Sequence, residues 1–163
     1  MENKKFAIYS NLTSNTQKAM TLQKTKQFGE LKDKIVVYTP FEAFYLIETN
    51  KAEFIKNKKS LSKQQTEKIL IKNKNKNKYL VFRYLRKQGY IVKTGLKFGG
   101  EFRVYERNKN HATYITYIIN KKIDLSEFIS RNRIAHSTAK KLLLAIVDEE
   151  QSILFYEVNW KKP

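Results

Sequence analysis

Residues capable of acid–base chemistry occur at predicted strand ends and adjoining loops in the second half of the chain. Tyr105 ends a predicted strand, His111 follows in a polar turn, and Lys140 and Lys141 stand just before another strand. A phenol and an imidazole can transfer protons, and an ammonium group can stabilise a negatively charged transition state. Such groups can cleave RNA through its own 2′-hydroxyl without a metal ion. Taken singly, each of these residues is more often a packing or solvent-exposed residue.

The composition excludes several other chemistries. The chain has 163 residues with no Cys and two His, which excludes disulfides, zinc ribbons, thiol catalysis and iron–sulfur clusters. Two histidines alone leave little for a transition-metal site, so we predict neither a metal nor a cofactor. Because 41% of the residues are hydrophobic and 13% are aromatic, we expect a folded core and not a disordered basic tail.

The charge balance indicates the class of partner. The chain has 33 Lys and Arg against 15 Asp and Glu, and the formal net charge of +18 attracts polyanions. Nucleic acid is favoured, and a lysine- and asparagine-rich surface without such a partner is the alternative. No apolar run approaches the roughly 20 residues that span a bilayer, and the polar N-terminus lacks a signal peptide's apolar core. We therefore expect a soluble, cytoplasmic protein with no membrane partner.

The elements that must position these residues fall into two parts. The first part, residues 1–60, contains two short strand-like runs, Lys5–Ser10 and Lys34–Tyr38. Its predicted helix is Phe41–Glu48, with Thr39 as N-cap, Pro40 at the first helical position and Glu42 at the third. The first part therefore mixes strands with a helix whose residues are mostly apolar.

A polar stretch, residues 61–78, joins the two parts. Ser62 and Gln65 form a capping-box pattern that opens a helix toward Ile71. Lysine and asparagine then alternate over Lys72–Lys78 without an apolar face. We predict a solvated loop or a frayed helix end there, and direct contact with RNA is the alternative.

The second part, residues 79–163, is predicted to form a β-rich mixed sheet flanked by helices. One helix covers Tyr79–Gln88 and ends at Gly89, and another is capped by Asp124 and runs to about Ser137. Strand patterns occur at Tyr90–Lys93, Glu101–Glu106, Thr113–Ile119, Lys141–Val147 and Ile153–Val158. Because side chains alternate along a strand, Lys140 and Lys141 are expected to point to opposite faces.

Two motifs of the second part resemble those of the tRNA-splicing endonuclease family. Residues Lys97–Tyr105 read KFGGEFRVY, similar to the family's archaeal GxKFGxDFxVY segment, and Ala135–Lys140 read AHSTAK, similar to the turn before its lysine. The first part matches more loosely, through Phe28–Glu30 and Pro40–Glu48. The resemblance implies an α+β fold. A small N-terminal α/β domain would precede a nuclease-like C-terminal domain with a mixed sheet flanked by helices.

The resemblance also implies a role for each reactive residue. Tyr105 would be the general base on the 2′-hydroxyl, His111 the general acid on the leaving oxygen, and Lys140 the stabiliser of the charged transition state. A phenol has an ordinary pKa of about 10, which a nearby ammonium lowers, and imidazole at about 6.5 is suited to donating a proton. The implied reaction cuts bulge–helix–bulge junctions of precursor tRNA without a metal, leaving 2′,3′-cyclic phosphate and 5′-hydroxyl ends.

The chain departs from the family pattern in two places. The turn Glu106–Asn110 is shorter than in many members, which leaves open whether His111 reaches the leaving oxygen. Glu101 stands where aspartate is frequent in the family. His136 offers a rival chemistry with paired histidines, as in pancreatic-type ribonucleases. Its position near a helix end favours a structural role instead. The family's spacing after Ser137 favours Lys140 over Lys141 as the active lysine.

The resemblance also implies residues for substrate binding and for subunit assembly. Arg133 and Trp160 fall where the family sandwiches an unstacked base of the bulge; a surface salt bridge and a core plug are the alternatives. The acidic run would insert into a basic groove of a neighbouring subunit in a homotetramer, or in a heterotetramer with a paralogous structural subunit. This run consists of Asp148, Glu149 and Glu150.

Two other functions stay open from the sequence. One is a non-catalytic RNA-binding subunit that positions the duplex for a catalytic partner. The other is a metal-dependent DNA nuclease, which needs a carboxylate cluster around a strand pair. The acidic run Asp148–Glu150 lies instead in a predicted hairpin turn, which disfavours this alternative.

Overall fold

The computed structural model describes residues 5–119 and 122–160, and the chain divides into two compact units, Met1–Lys76 and Asn77–Pro163. The elements of the first unit are β1 (Phe6–Tyr9), β2 (Thr13–Ser14), α1 (Gln17–Lys26), β3 (Glu30–Lys32), β4 (Ile35–Val37), α2 (Pro40–Glu48), β5 (Ala52–Lys56), β6 (Lys59–Leu61) and α3 (Lys63–Leu70). Helix α4 (Lys76–Lys87) begins at the boundary. The second unit continues with β7 (Ile91–Thr94), β8 (Phe102–Tyr105), β9 (Tyr114–Ile119), α5 (Leu125–Ser137), β10 (Lys141–Val147) and β11 (Ile153–Val158).

The first unit combines two three-stranded sheets with helices. One sheet has the order β1-β5-β6, with β1 and β5 parallel, and the other has the order β2-β4-β3. Buried aromatic and aliphatic residues from both sheets and from α2 form one core, which includes Ile8, Val36, Leu46 and Phe54. Burial of this apolar face holds the short strands in place, because strands of three or four residues are marginal by themselves.

Helix α2 begins at the predicted cap. The Thr39 hydroxyl accepts the N–H of Glu42 at 3.2 Å, and Glu42 Oε2 accepts the N–H of Thr39 at 3.0 Å. Glu42 Oε1 also accepts the N–H of Gly29 at 3.0 Å, although this carboxylate is only 3% exposed. Ser62 and Gln65 form the second predicted capping box, at the start of α3. Both capping predictions are therefore confirmed.

Two parts of the sequence behave differently from the prediction. Helix α1 was not predicted, because it buries only Ala19 and so lacks a clear apolar stripe. Several short strands of the first unit were not predicted either. The Lys72–Lys78 run, predicted as a solvated loop or a frayed helix end, contains a 3-10 turn over Asn73–Asn75 and the first residues of α4, which starts at Lys76. The apolar residues that follow, from Tyr79 to Phe82, are buried, and the helix that they anchor begins within this polar run.

The second unit is built on one five-stranded sheet with the order β11-β10-β9-β8-β7. Strands β9 and β10 are parallel, and the other neighbouring pairs are antiparallel. Helix α5 packs on one face, where Ala135 contacts a cluster that contains Ile115, Leu142 and Leu144. The predicted α+β class, with a mixed sheet in the C-terminal part, is confirmed.

Helix α4 supplies aromatic contacts to the opposite face of the same sheet. The rings of Phe82 and Phe102 lie 5.9 Å apart, and those of Tyr84 and Phe155 lie 5.2 Å apart. Aromatic pairs at this separation add to the stability that their burial provides. The sheet is thus fixed between two helices, which makes its strand ends a rigid support for functional side chains.

Glu42 provides a test of the first unit. Glu42→Ala should lower the free energy of unfolding by about 1–3 kcal/mol, because it removes the acceptor for two backbone N–H groups and for the Thr39 hydroxyl. Urea unfolding of the full chain would measure the change. Glu30→Ala, at an exposed position of β3, serves as the control and should change stability by less than about 0.5 kcal/mol. Equal effects of the two substitutions would contradict this account of α2.

Candidate active site

Tyr105 and Lys140 lie at the same edge of the second sheet, the one formed by the last residue of β8 and the first residue of β10. Tyr105 ends β8, Lys140 directly precedes β10, and β9 lies between these strands. Thr113, just before β9, donates its N–H to Val104 O at 2.9 Å and accepts the N–H of Lys141 at 2.9 Å. Because β8 is antiparallel and β10 is parallel to β9, the end of β8 meets the start of β10 at the same edge.

The two residues also share a face of the sheet. Arg103 is paired with Ile115, and Ile115 is paired with Leu142, so these three side chains lie on one face. That face is covered by α5. Tyr105 and Lys140 are each two residues from a member of this row, and side chains repeat every second residue. Tyr105 and Lys140 are both partly buried there.

The ammonium group of Lys140 has a defined position. Its Nζ donates to Thr138 O at 2.6 Å and lies 5.1 Å from the centroid of the Phe98 ring. The same ring has the guanidinium carbon of Arg103 at 5.3 Å. A cation within about 6 Å of a ring centroid is attracted by the ring's quadrupole. Phe98 therefore holds two cations beside the sheet edge, where an anionic phosphate would find complementary charge.

Lys141 lies on the other face, as predicted. Its Nζ donates to Glu157 Oε1 at 2.6 Å, and this bond, together with bonds from Asn159 and Tyr114, lowers the pKa of Glu157. Burial, and next the hydrogen bond to Glu157, raise the pKa of Tyr114 to about 12. The charge of Lys141 is thus engaged with a carboxylate, whereas the Lys140 ammonium contacts a carbonyl and a ring.

His111 lies in the turn between β8 and β9 and is exposed. Among the described residues, its side chain has no hydrogen bond or ion pair. The turn itself is fixed by Glu106, which accepts the Thr113 hydroxyl at 3.1 Å and pairs with Lys109 at 2.5 Å. These two bonds lower the pKa of the Glu106 carboxyl. The structure therefore anchors the short turn while leaving the imidazole free to approach a substrate.

The turn that carries Phe98 is tied to α5 by Arg131. Arg131 donates to the carbonyl of Gly99, pairs with Glu127 at 3.4 Å and lies over the Tyr117 ring at 4.5 Å. Gly99 has a φ of +68°, a conformation that glycine adopts without strain. Sequence analysis assigned no role to Phe98 or Arg131. Phe98 lies inside the KFGGEFRVY segment, which was the available signal, but nothing in the sequence pointed to Arg131.

Glu101 links the start of β8 to other elements. Its Oε2 accepts the N–H of Ile118 at 3.1 Å, and its Oε1 pairs with Lys78 at 3.6 Å. The carboxylate thus reaches a backbone donor on β9 and a cation on α4. These contacts give the acidic position before Phe102 a structural function.

Arg133 and Trp160 do not meet in this chain. Arg133 is exposed on α5 and has no hydrogen bond, ion pair or ring contact within the described residues. Trp160 is 47% exposed and stacks on His136, with ring centroids 5.2 Å apart and planes at 21°. His136 lies in the last turn of α5, where a basic side chain complements the helix dipole. A base sandwich between Arg133 and Trp160 is therefore not preformed.

The acidic run forms the exposed turn between β10 and β11. Asp148 Oδ1 accepts the N–H of Ser152 at 2.8 Å, and Gln151 has a φ of +66°. Strand β11 is an edge of the sheet, and its residues Leu154 and Tyr156 are 57% and 54% exposed. An edge strand with exposed apolar side chains offers backbone groups for pairing with another chain.

Two further properties bear on the class of protein. Over residues 5–119 and 122–160, no three His, Cys, Asp or Glu side chains are grouped so that they could hold a metal ion. Among the same residues, no helix has the length and apolar character needed to cross a membrane.

Sequence comparison identifies the family. Residues 75–155 match the profile of the tRNA intron endonuclease catalytic C-terminal domain, and residues 10–67 match that of its N-terminal domain. This chain belongs to the tRNA intron endonuclease family. It is 37% identical over 154 residues to a tRNA-splicing endonuclease of Methanothermobacter thermautotrophicus, covering 91% of each chain. A tRNA-splicing endonuclease of Nanoarchaeum equitans is 38% identical in an alignment of 142 residues that covers 75% of this chain and 87% of that one.

Phe98 provides a test of how the Lys140 ammonium is positioned. Phe98→Leu should slow cleavage of an intron-containing tRNA by about 5- to 30-fold, because it removes a cation–π contact worth about 1–2 kcal/mol. Phe98→Tyr keeps the ring and should stay within about threefold of the original rate. In a Lys140→Ala background, Phe98→Leu should have no additional effect on single-turnover rates. Additive losses would show that Phe98 does not act through Lys140.

Proposed function

We propose that this chain is the catalytic subunit of a tRNA-splicing endonuclease that cuts precursor tRNA at bulge–helix–bulge junctions. The observation that carries the proposal is the common edge and face of Tyr105 and Lys140 on the β8-β9-β10 ladder. The relatives named tRNA-splicing endonuclease, which align over most of this chain, support the choice of substrate.

The proposed reaction uses the RNA's own 2′-hydroxyl as nucleophile. Tyr105 takes the proton of that hydroxyl, and the oxygen attacks the adjacent phosphorus. His111 gives a proton to the 5′-oxygen as the bond between this oxygen and phosphorus breaks. The products are a 2′,3′-cyclic phosphate and a 5′-hydroxyl, so the reaction consumes no water and needs no metal ion.

Lys140 supplies the charge that this transition state requires. The pentavalent phosphorane carries more negative charge on its non-bridging oxygens than the starting diester does. A fixed ammonium near those oxygens stabilises the transition state more than the ground state. The contacts to Thr138 O and Phe98 limit the positions that the Lys140 ammonium can take.

The catalytic assignment predicts different effects for adjacent residues. His111→Ala should reduce the single-turnover rate by about 10²–10⁴-fold, as expected for loss of a general acid. Lys140→Ala should reduce it by about 10²–10³-fold, whereas Lys141→Ala, on the other face, should cost less than about fivefold. Assays in EDTA with a bulged RNA duplex would measure these rates. Binding without cleavage by the unmodified chain would instead identify a non-catalytic RNA-binding subunit.

The acidic turn and edge strand lead to a proposal on assembly. We propose that Asp148, Glu149 and Glu150 insert into a basic groove of a neighbouring subunit, and that β11 pairs with a second copy or a paralogue. Replacing all three acids by lysine should split the assembly at moderate salt and abolish cleavage without unfolding the subunit. Light scattering would report the mass of the assembly, and a mass unchanged by the substitutions would contradict this proposal.

Arg133 and Trp160 are proposed to grip an unstacked base of the bulge. Trp160 must then leave or extend its stack on His136 when RNA binds. Base stacking of this kind is worth about 1–3 kcal/mol, so Trp160→Ala should weaken cleavage of bulged RNA by about 5- to 150-fold. The fluorescence of Trp160, the only tryptophan, should change on adding bulged RNA. A silent fluorescence signal together with normal cleavage by Trp160→Ala would remove it from the substrate site.

A further inference from the structure

The first unit contains a basic groove that the proposed chemistry does not use. The groove has a volume of about 650 Å³ and is lined by residues of α3, of the link that follows it, of the 3-10 turn and by the first residue of α4. The lining residues are Gln64, Glu67, Lys68, Ile71, Lys72, Asn73 and Lys76. We call this feature the α3–α4 groove.

The charges of the α3–α4 groove are unbalanced. Lys68, Lys72 and Lys76 recur every fourth residue, are exposed, and face one carboxylate, that of Glu67. Within the described residues, none of these three lysines has an ion pair or a hydrogen bond through its side chain. Three unpaired cations in one concave surface repel one another, and an anionic ligand relieves that repulsion.

The remaining lining residues indicate which anion fits. Gln64 and Asn73 contribute amide groups, which can bond phosphate oxygens and ribose hydroxyls. The groove has no aromatic side chain, and Ile71 is 7% exposed. Protein interfaces are enriched in aromatic residues and depleted in lysine, whereas lysine and the amides of Asn and Gln are among the side chains that contact nucleic-acid phosphates. The groove therefore has the character of a nucleic-acid surface.

We propose that the α3–α4 groove binds the phosphate backbone of the precursor tRNA, at a site separate from the β8-β9-β10 edge. This inference rests on the proposed function for the identity of the RNA. It assigns the Lys72–Lys78 run a role in substrate affinity, with Lys72 and Lys76 contacting phosphates together with Lys68. The groove contributes binding energy and takes no part in the chemical step.

The test compares two triple variants of the full chain. Lys68, Lys72 and Lys76 are replaced by Gln in one, and Lys56, Lys58 and Lys59 in the other. The second set lies on the exposed β5–β6 hairpin of the same unit and removes the same charge. The probe is a labelled precursor tRNA with 2′-deoxy nucleotides at both junctions, which blocks the proposed reaction. Fluorescence anisotropy gives Kd at several salt concentrations, and circular dichroism checks folding.

The groove variant should bind roughly 10- to 100-fold more weakly at 0.1 M salt, and the slope of log K against log salt should fall by about 2–3. The hairpin variant should stay within about threefold of the unmodified chain. Glu67→Gln should tighten binding by about two- to fivefold, because it removes a repulsive charge. This gain of affinity does not arise from a merely structural role.

Two results would overturn the proposal: equal weakening by both triple variants, which would indicate net charge alone, or unchanged affinity in the groove variant. The latter result would leave an acidic protein as the class of partner for the groove. Single-turnover cleavage of unmodified precursor tRNA at saturating enzyme should be unchanged in the groove variant. If the unmodified chain fails to cleave, the proposed function fails, while the binding comparison still decides the fate of the groove.

Discussion

The pairing of β9 between β8 and β10 is the constraint on which the candidate site depends. Its register sets Val104 against Tyr114 and Tyr114 against Lys141, and so places Tyr105 and Lys140 at one edge. A slip of one residue in β10 would turn every side chain of that strand to the other face. Lys141 would then occupy the position of Lys140, and the apolar residues that pack on α5 would point away from it.

The contacts around this ladder serve to hold it in that register. Leu142 and Leu144 bury their side chains under α5, while α4 covers the other face through Phe82 and Tyr84. Arg131 connects α5 to the turn that presents Phe98, and Phe98 in turn contacts Lys140. The position of one ammonium group is thus coupled to the packing of the second unit's core.

The sequence was sufficient to predict the elements that have a clear apolar pattern or a capping box. The bounds of α5, β10 and β11 agree with prediction, because Asp124 caps the helix and the strands have clear apolar runs. Helix α1 and the strands β2, β3, β5 and β6 of the first unit were missed, because α1 buries only Ala19 and these strands are short. At the site, the grouping of Tyr105 and Lys140 followed from family resemblance. The contacts of Phe98 with Lys140, of Arg131 with Gly99 and of Trp160 with His136 join residues 24 to 42 positions apart in the sequence, and local patterns do not encode such contacts.

The central claim is that side chains of this chain cleave RNA through its own 2′-hydroxyl. The most direct test is single-turnover cleavage of a precursor tRNA that carries one 2′-deoxy nucleotide immediately 5′ to one of its two cut sites. This junction is expected to stay intact while the other junction is cut and ends in a 2′,3′-cyclic phosphate. Cleavage at the 2′-deoxy junction at an undiminished rate would contradict the claim.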